Sequence, residues 1–281
     1  MKENKLTIIF QAYGSEGILA EALYSLVSLY KQDPEGNTFQ PIIYTDQPNY
    51  FLRWNFPGLK CEELTPKLIQ EYRGEIQFVH RVKVCVLMEV CNKYPGNILY
   101  LDTDTVLLSG LEKLNTLISE GKRLMHVNEG ALKKRHNPIF KKIWKFTRKF
   151  KVEQLGEFNG IIAEETCMYN AGVLGFNTQD QNILQKVLLL TDQLYAAYPK
   201  HIMEQLAFSY LFSRSGEVIA TDKEIYHYWM NKGFREELIP LIQQAQNLEK
   251  LQELFLQVDP RNYVPQKKVS VWKKIWKLFN S

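Results

Sequence analysis

Two carboxylates separated by one residue inside an apolar run are the chemical feature of this chain: Asn97-Ile98-Leu99-Tyr100-Leu101-Asp102-Thr103-Asp104-Thr105-Val106-Leu107-Leu108. The run reads as a buried strand ending in an acidic tip. In extended chain, side chains at i and i+2 point the same way, so Asp102 and Asp104 share a side and Thr103 points away. Such a pair repels itself and loses water. A divalent cation, a basic partner or a shared proton would compensate. Hard oxygen ligands suit Mg²⁺ or Mn²⁺. The plainer alternative is a strand end whose aspartates cap the next turn in water.

The elements that would position this pair follow from pattern. Leu6–Phe10 reads as a first strand, ended by Gln11-Ala12-Tyr13-Gly14. A helix over about residues 16–30 follows, with Leu19, Leu23, Leu26 and Tyr30 at helical spacing. Pro41–Asp46 reads as a second strand, so the chain opens as a βαβ unit. No Gly-x-Gly-x-x-Gly and no P-loop follows the first strand, so no glycine cradle for phosphates is expected. Residues 50–75 read as irregular. A helix over Val79–Lys93 carries His80, Arg81 and Lys83 in its first turns, Lys83 reading as surface. The turn Tyr94-Pro95-Gly96 leads into the acidic strand, placing Asp102 and Asp104 at the carboxyl end of a central strand, where open α/β sheets bind ligands. Further helices are expected near Leu111–Glu120, Asp180–Tyr198, His201–Ser213 and Leu238–Gln257, the last with Pro240 in its first turn. Strands are expected at Arg123–Val127, Cys167–Asn177 and Glu217–Ala220.

The 281 residues are 45% hydrophobic, enough for one large domain. There is no apolar run of membrane-spanning length, and the apolar part of the N-terminus is too short for a signal peptide. Cys61, Cys85, Cys91 and Cys167 lack metal-ligand spacing. Together these features point to the cytoplasm. The net charge of +4 is unevenly spread. Residues 131–151 carry nine Lys/Arg and residues 266–281 carry five Lys, both without an acid, while the rest of the chain has 21 basic against 31 acidic residues. Local basic charge of this kind suggests a surface that meets an anionic partner.

Four stretches in order resemble the family 8 glycosyltransferases, the retaining GT-A enzymes that include bacterial lipopolysaccharide glycosyltransferases and glycogenin. They are His80-Arg81-Val82-Lys83-Val84, Leu99-Tyr100-Leu101-Asp102-Thr103-Asp104-Thr105-Val106, Tyr169-Asn170-Ala171-Gly172-Val173-Leu174-Gly175-Phe176-Asn177, and Glu204-Gln205 where that family has Asp-Gln. The likeness spans most of residues 6–232. Two features depart from it. The first strand ends in Gln11-Ala12-Tyr13 instead of an Asp that meets the base. The late His-x-x-Gly-x-x-Lys-Pro-Trp pattern becomes His227-Tyr-Trp-Met-Asn-Lys232, with the lysine one residue early.

The resemblance implies an α/β GT-A fold with a mixed, mostly parallel sheet over residues 1–258, followed by a linker and tail over 259–281. It implies a hexosyltransferase that moves a sugar from a nucleotide donor, UDP-linked, to a hydroxyl of a glycan or lipid-linked acceptor with retention. Asp102, Asp104 and His227 would hold Mn²⁺ or Mg²⁺. Ala12, Tyr13, Arg81, Thr103, Asn170, Ala171, Gly172 and Lys232 would meet the donor. Gln205 would lie beneath the anomeric carbon, where an amide supports an oxocarbenium-like state electrostatically, and Glu204 would hold sugar or acceptor hydroxyls. Read without the resemblance, His227 is a histidine packed among Tyr226, Tyr228 and Trp229.

The pentapeptide Lys-Lys-Ile-Trp-Lys occurs twice, at 141–145 and 273–277. In the tail, Trp272, Ile275, Trp276 and Phe279 follow helical spacing, with Lys267, Lys273, Lys274 and Lys277 opposite. This is the pattern of an interfacial helix on anionic lipid, or of a helix packed on the protein's own surface. It suggests a peripheral protein on the inner face of the cell membrane. No nucleic-acid motif accompanies the charge. Two other readings stand beside the enzyme reading. Asp102-Thr103-Asp104-Thr105-Val106 also fits the motif of haloacid-dehalogenase-like phosphatases, with Asp222-Lys223-Glu224 as a weak second acidic element. A non-catalytic domain that binds sugar nucleotide or membrane is the other.

Overall fold

The computed structural model describes residues 5–133 and 138–264. The tail that carries Trp272, Lys273, Lys274, Trp276 and Lys277 lies outside the described residues. The chain opens with β1 (Leu6–Ala12), α1 (Glu16–Gln32), β2 (Phe39–Thr45), α2 (Pro48–Leu52), β3 (Lys60–Glu63) and α3 (Pro66–Arg73). The stretch expected to be irregular thus holds two helices and an edge strand. Pro at the start of α2 and α3 supplied the signal, since Pro favours the first helical turn.

The central part is α4 (Arg81–Lys93), β4 (Asn97–Leu101), β5 (Thr105–Leu107), α5 (Leu111–Ser119), β6 (Arg123–Met125), β7 (Asn128–Ala131), α6 (Pro138–Thr147), β8 (Lys151–Val152), β9 (Gly160–Ile161), β10 (Cys167–Tyr169) and β11 (Val173–Asn177). The chain closes with α7 (Gln181–Ala197), α8 (Met203–Ser215), β12 (Val218–Ala220), β13 (Ile225–His227), α9 (Arg235–Gln244) and α10 (Leu248–Phe255). The single helix expected over 238–257 is two helices, and Pro240 lies inside α9 instead of in a first turn.

Seven strands form one sheet in the order β12-β6-β11-β4-β1-β2-β3. The pairs β4–β1, β1–β2, β2–β3 and β6–β12 are parallel, and β11 runs antiparallel between β4 and β6. Alternation along the strands divides the core. Ile8, Phe10, Leu99 and Leu101 face α1 and α5, whereas Ile9, Ile98 and Tyr100 face α4, α7 and α8. Helix α1 is buried nearly all round because β5, α9 and α10 cover the side turned away from the sheet. Among the described residues no helix is long and apolar enough to cross a membrane.

Candidate active site

The acidic tip is a turn, not extended chain. Strand β4 ends at Leu101, and Asp102–Asp104 bridge to β5, which leaves the sheet and pairs with β13. Two backbone anchors hold the turn: Asp102 N–H donates to the Gly172 carbonyl at 2.8 Å, and Tyr228 N–H donates to the Asp104 carbonyl at 3.0 Å. The Thr105 hydroxyl donates to the Asp102 carbonyl at 2.8 Å. The two aspartates therefore converge through the turn and its anchors, and not through strand alternation.

Antiparallel pairing of β5 with β13 sets His227 opposite Thr105. His227 Nε2 lies 2.9 Å from Asp104 Oδ1 and 4.0 Å from Asp102 Oδ2. One ligand atom from each of Asp102, Asp104 and His227 falls within 4.8 Å of the others. On the far side of the ring, Nδ1 meets Asn170 Oδ1 at 3.0 Å, and that oxygen also accepts from Gly172 N–H at 2.9 Å. The Asn170 oxygen engages Nδ1, so Nε2 is the nitrogen that faces the carboxylates, the side of the ring from which an imidazole can ligate a metal. Two carboxylates and one imidazole suit a divalent cation such as Mn²⁺ or Mg²⁺. Ala171 and Gly172 make the close approach possible, since a Cβ on Gly172 would collide with the His227 ring.

The carboxylates are also held by lysines. Lys232 Nζ lies 2.8 Å from Asp104 Oδ2 with most of its side chain exposed, so its charge is available to a ligand. Burial alone would raise the Asp104 carboxyl, but hydrogen bonds and charge from His227 and Lys232 hold it well below the usual carboxylate range. Lys83 departs from the surface position expected for it. Its side chain is only 7% exposed, and Nζ lies 3.2 Å from Asp102 Oδ1, 3.2 Å from Glu204 Oε1 and 3.0 Å from the Ala171 carbonyl. The Tyr100 hydroxyl also donates to Asp102 Oδ1 at 2.8 Å, which leaves Oδ2 toward His227.

Arg81, expected at the donor, is turned away. Its guanidinium binds Asp192 of α7 at 2.8 Å and the Tyr72 carbonyl at 2.8 Å, so it clamps α4 to α3 and α7. At 100° per residue, Arg81 and Lys83 lie about 200° apart on the helix, and only one of them can face the sheet end. The structure assigns that place to Lys83.

Glu204 and Gln205 stand in the first turn of α8. Glu204 is buried against Lys83. Burial, reinforced by the Asp102 charge and opposed by Lys83, pushes its carboxyl up to about 7. The Gln205 amide donates to Glu129 Oε2 on β7 at 2.8 Å. Ala12 and Tyr13 emerge from β1 beside the acidic turn, because Phe10 pairs with Leu101. The Tyr13 hydroxyl is buried with no partner among the described residues. Thr103 is half-buried at the tip of the turn.

Sequence reasoning read Lys83 as surface, named Trp229 only as packing around His227, and gave no role to Tyr100, Glu129 or His126. His126 packs edge-on to His227 with ring centroids 5.2 Å apart, and Trp229 lies 5.0 Å from the His227 ring. Burial and the neighbouring His227 push His126 down to about 4, so it is neutral at neutral pH. The Trp in His227-Tyr-Trp was the available signal. Glu21 was also missed. It holds Arg235 through both carboxylate oxygens, at 3.1 and 2.9 Å, and so ties the start of α9, three residues after Lys232, to α1. A cavity of about 780 Å³ lies at the opposite end of the sheet around Lys5, Asn97 and Arg123, and contains none of these groups.

A βαβ-opened, mostly parallel sheet with an Asp-x-Asp turn and a late histidine converging at its carboxyl end defines a GT-A glycosyltransferase. Comparison with known proteins agrees. The sequence model described as Glycosyl transferase family 8 matches residues 85–233, more than half of the chain, and the chain belongs to that family. An active-site mutant of LgtC superposes with a TM-score of 0.51 at 12% identity, over 93% of this chain and 98% of that one. The WbbM bifunctional glycosyltransferase gives 0.50 at 11% identity, over 98% of this chain and 52% of that one. The glycosyltransferase GlyE of Streptococcus pneumoniae TIGR4 is 14% identical with a TM-score of 0.48, over 99% of this chain and 60% of that one. The chain thus spans little more than half the length of two of these proteins. No curated protein matches it. Membership in this family displaces the phosphatase reading, and Glu224 of the Asp222-Lys223-Glu224 stretch is engaged by Lys113 at 2.6 Å.

Proposed function

We propose that the protein transfers a hexose from a UDP-linked sugar to a hydroxyl of a glycan or lipid-linked acceptor, with retention at the anomeric carbon and with Mn²⁺ or Mg²⁺ bound by Asp102, Asp104 and His227. The observation that carries this reading is the convergence of those three side chains at the carboxyl end of the sheet. When bound, the cation supplies Lewis-acid stabilisation of the negative charge on the departing diphosphate.

The protein's own groups do the rest. Asn170 fixes the imidazole so that Nε2 faces the carboxylates. Lys232, paired with Asp104 and otherwise exposed, supplies a point charge for the diphosphate. Lys83 binds Asp102 and Glu204 together and so sets the distance between the metal-binding turn and the start of α8. Glu129 holds the Gln205 amide nitrogen, which directs the amide oxygen toward the donor sugar for support of developing positive charge. Ala12, Tyr13, Thr103, Ala171 and Gly172 line the donor's approach. The tail residues Trp272, Lys273, Lys274, Trp276 and Lys277 dock the enzyme on an anionic membrane at the inner face of the cell, where a lipid-linked acceptor such as a lipopolysaccharide precursor would be met. The Asp102→Ala variant tests the reading: it should lose sugar transfer by at least two orders of magnitude, since it removes a metal ligand and the partner of Lys83. Transfer at the unaltered rate would refute the assignment.

A further inference from the structure

Helix α6 and the turn after it gather several exposed cations that have no carboxylate partner among the described residues. Its inward side packs Phe140, Ile143, Trp144 and Thr147 into the core, and Trp144 Nε1 donates to Glu164 at 3.1 Å. The first copy of Lys-Lys-Ile-Trp-Lys is therefore folded with its Ile and Trp inward and its three lysines outward. At 100° per residue, Lys141, Lys142 and Lys145 fall within about a third of the circumference; Arg148 and Lys149 follow in the turn beyond α6, and all five are exposed.

Many lysines elsewhere on the surface find carboxylates, and Lys31, Lys67 and Lys223, which have no ion pair among the described residues, stand on separate segments. Lys93 pairs with Glu62 and Glu89, Lys113 with Glu224, Lys186 with Glu157 and Lys250 with Glu253. Among the described residues, none of Lys141, Lys142, Lys145 and Lys149 has a carboxylate within ion-pair distance, and Arg148 lies over the Trp144 ring at 4.8 Å. Like charges gathered on one rigid face repel one another unless a partner neutralises them. The remainder of the chain outside the two basic stretches is acid-rich, so among the described residues an anionic surface would attract this face most strongly.

We propose that the outward face of α6 docks on an anionic phospholipid surface, as a folded attachment separate from the tail. The chemistry favours lipid over a glycan or a nucleic acid. The face is convex and its aromatic rings point inward, so it offers neither a cleft for a sugar nor a ring for a base to stack on. Lysines on flexible stems suit diffuse anionic headgroups, each adding to attraction within a Debye length of the surface. The location gives the contact a use that rests on the glycosyl-transfer reading. Helix α6 follows β7 in the chain, whose Glu129 holds Gln205, and docking would keep the enzyme at the surface where an acceptor embedded in the bilayer is met.

The test is co-sedimentation of the full chain with phosphatidylcholine vesicles, with and without phosphatidylglycerol. Lys141→Gln/Lys142→Gln/Lys145→Gln should lower partition onto the anionic vesicles by roughly tenfold or more. Lys141→Arg/Lys142→Arg/Lys145→Arg should retain it, and high salt should abolish the difference. Lys273→Gln/Lys274→Gln/Lys277→Gln, measured in parallel, separates the tail's share. The inference is overturned if the α6 glutamine variant partitions like the unaltered protein, whatever the tail variant does. It is equally overturned if the only change is a higher KM for a soluble, phosphate-bearing glycan acceptor, which would make the face an acceptor site. Metal-dependent UDP binding, titrated on the same variants, reads the glycosyl-transfer assignment independently and should be unaltered.

Discussion

At the scale of single residues, the site depends on a lysine that pattern reading places at the surface. Lys83 is flanked by Asp102 and Glu204 at 3.2 Å each, so its removal leaves half-buried Asp102 and buried Glu204 without their shared cation. Lys83→Met should destabilise the fold by about 2–4 kcal/mol in thermal or urea unfolding and weaken nucleotide binding, while Lys83→Arg should lose much less of both. Glu204 supplies a pH dependence. Its carboxyl is pushed from the ordinary 4.5 to about 7, so the fold favours the neutral acid. Its stabilising contribution is complete below about 4.5 and is lost as pH rises through about 7, at a limiting slope of roughly 1.4 kcal/mol per pH unit. The melting temperature of Glu204→Gln should therefore vary less across that window than that of the unaltered protein.

Much of the site was legible at this scale, for reasons only partly right. Asp102, Asp104, His227 and Lys232 do come together. The aspartates do so through a turn pinned by Gly172 and Tyr228, whereas the i, i+2 argument assumed a strand. Lys83 was illegible because which face of α4 meets the sheet end depends on how the helix is rotated against β4 and α7. The Arg81–Asp192 and Lys83–Asp102 pairs fix that rotation, and their partners lie far away in sequence. Asn170 was expected at the sugar. The structure engages its side-chain oxygen with His227 and Gly172, a contact that links β13 to the break between β10 and β11.

At the scale of elements, periodicity located most of the helices and the strands of the main sheet. Long-range pairing decided where they break. Residues 97–108 read as one apolar run, yet β5 abandons the sheet for β13. Residues 167–177 likewise split into β10, which pairs with β7, and β11, which enters the sheet. Both breaks fall at the site, and both free backbone there to approach a ligand. Pro240 is the clearest local conflict. It is exposed inside α9, where it withholds an N–H and crowds the preceding turn. Pro240→Ala should raise stability by about 1 kcal/mol or more, read as a higher melting temperature. An unchanged or lower value would mean that the entry to α9 depends on the ring.

At the scale of the whole molecule, the fold gathers its candidate chemistry at one end of the sheet and a group of exposed cations on one helix and the turn after it. The parallel strands β4, β1 and β2 deliver their carboxyl ends to a common edge. The antiparallel insertion of β11 brings Asn170–Gly172 to that edge from the other direction. The proposed transfer at this edge has the acidic turn bind a nucleotide diphosphate through a divalent cation. Isothermal titration of UDP into the purified protein, first with Mn²⁺ and then with EDTA, tests this most directly. The account predicts saturable binding with Mn²⁺ that EDTA removes, and its loss in Asp104→Ala. UDP binding of equal strength in both conditions, or none in either, would contradict it.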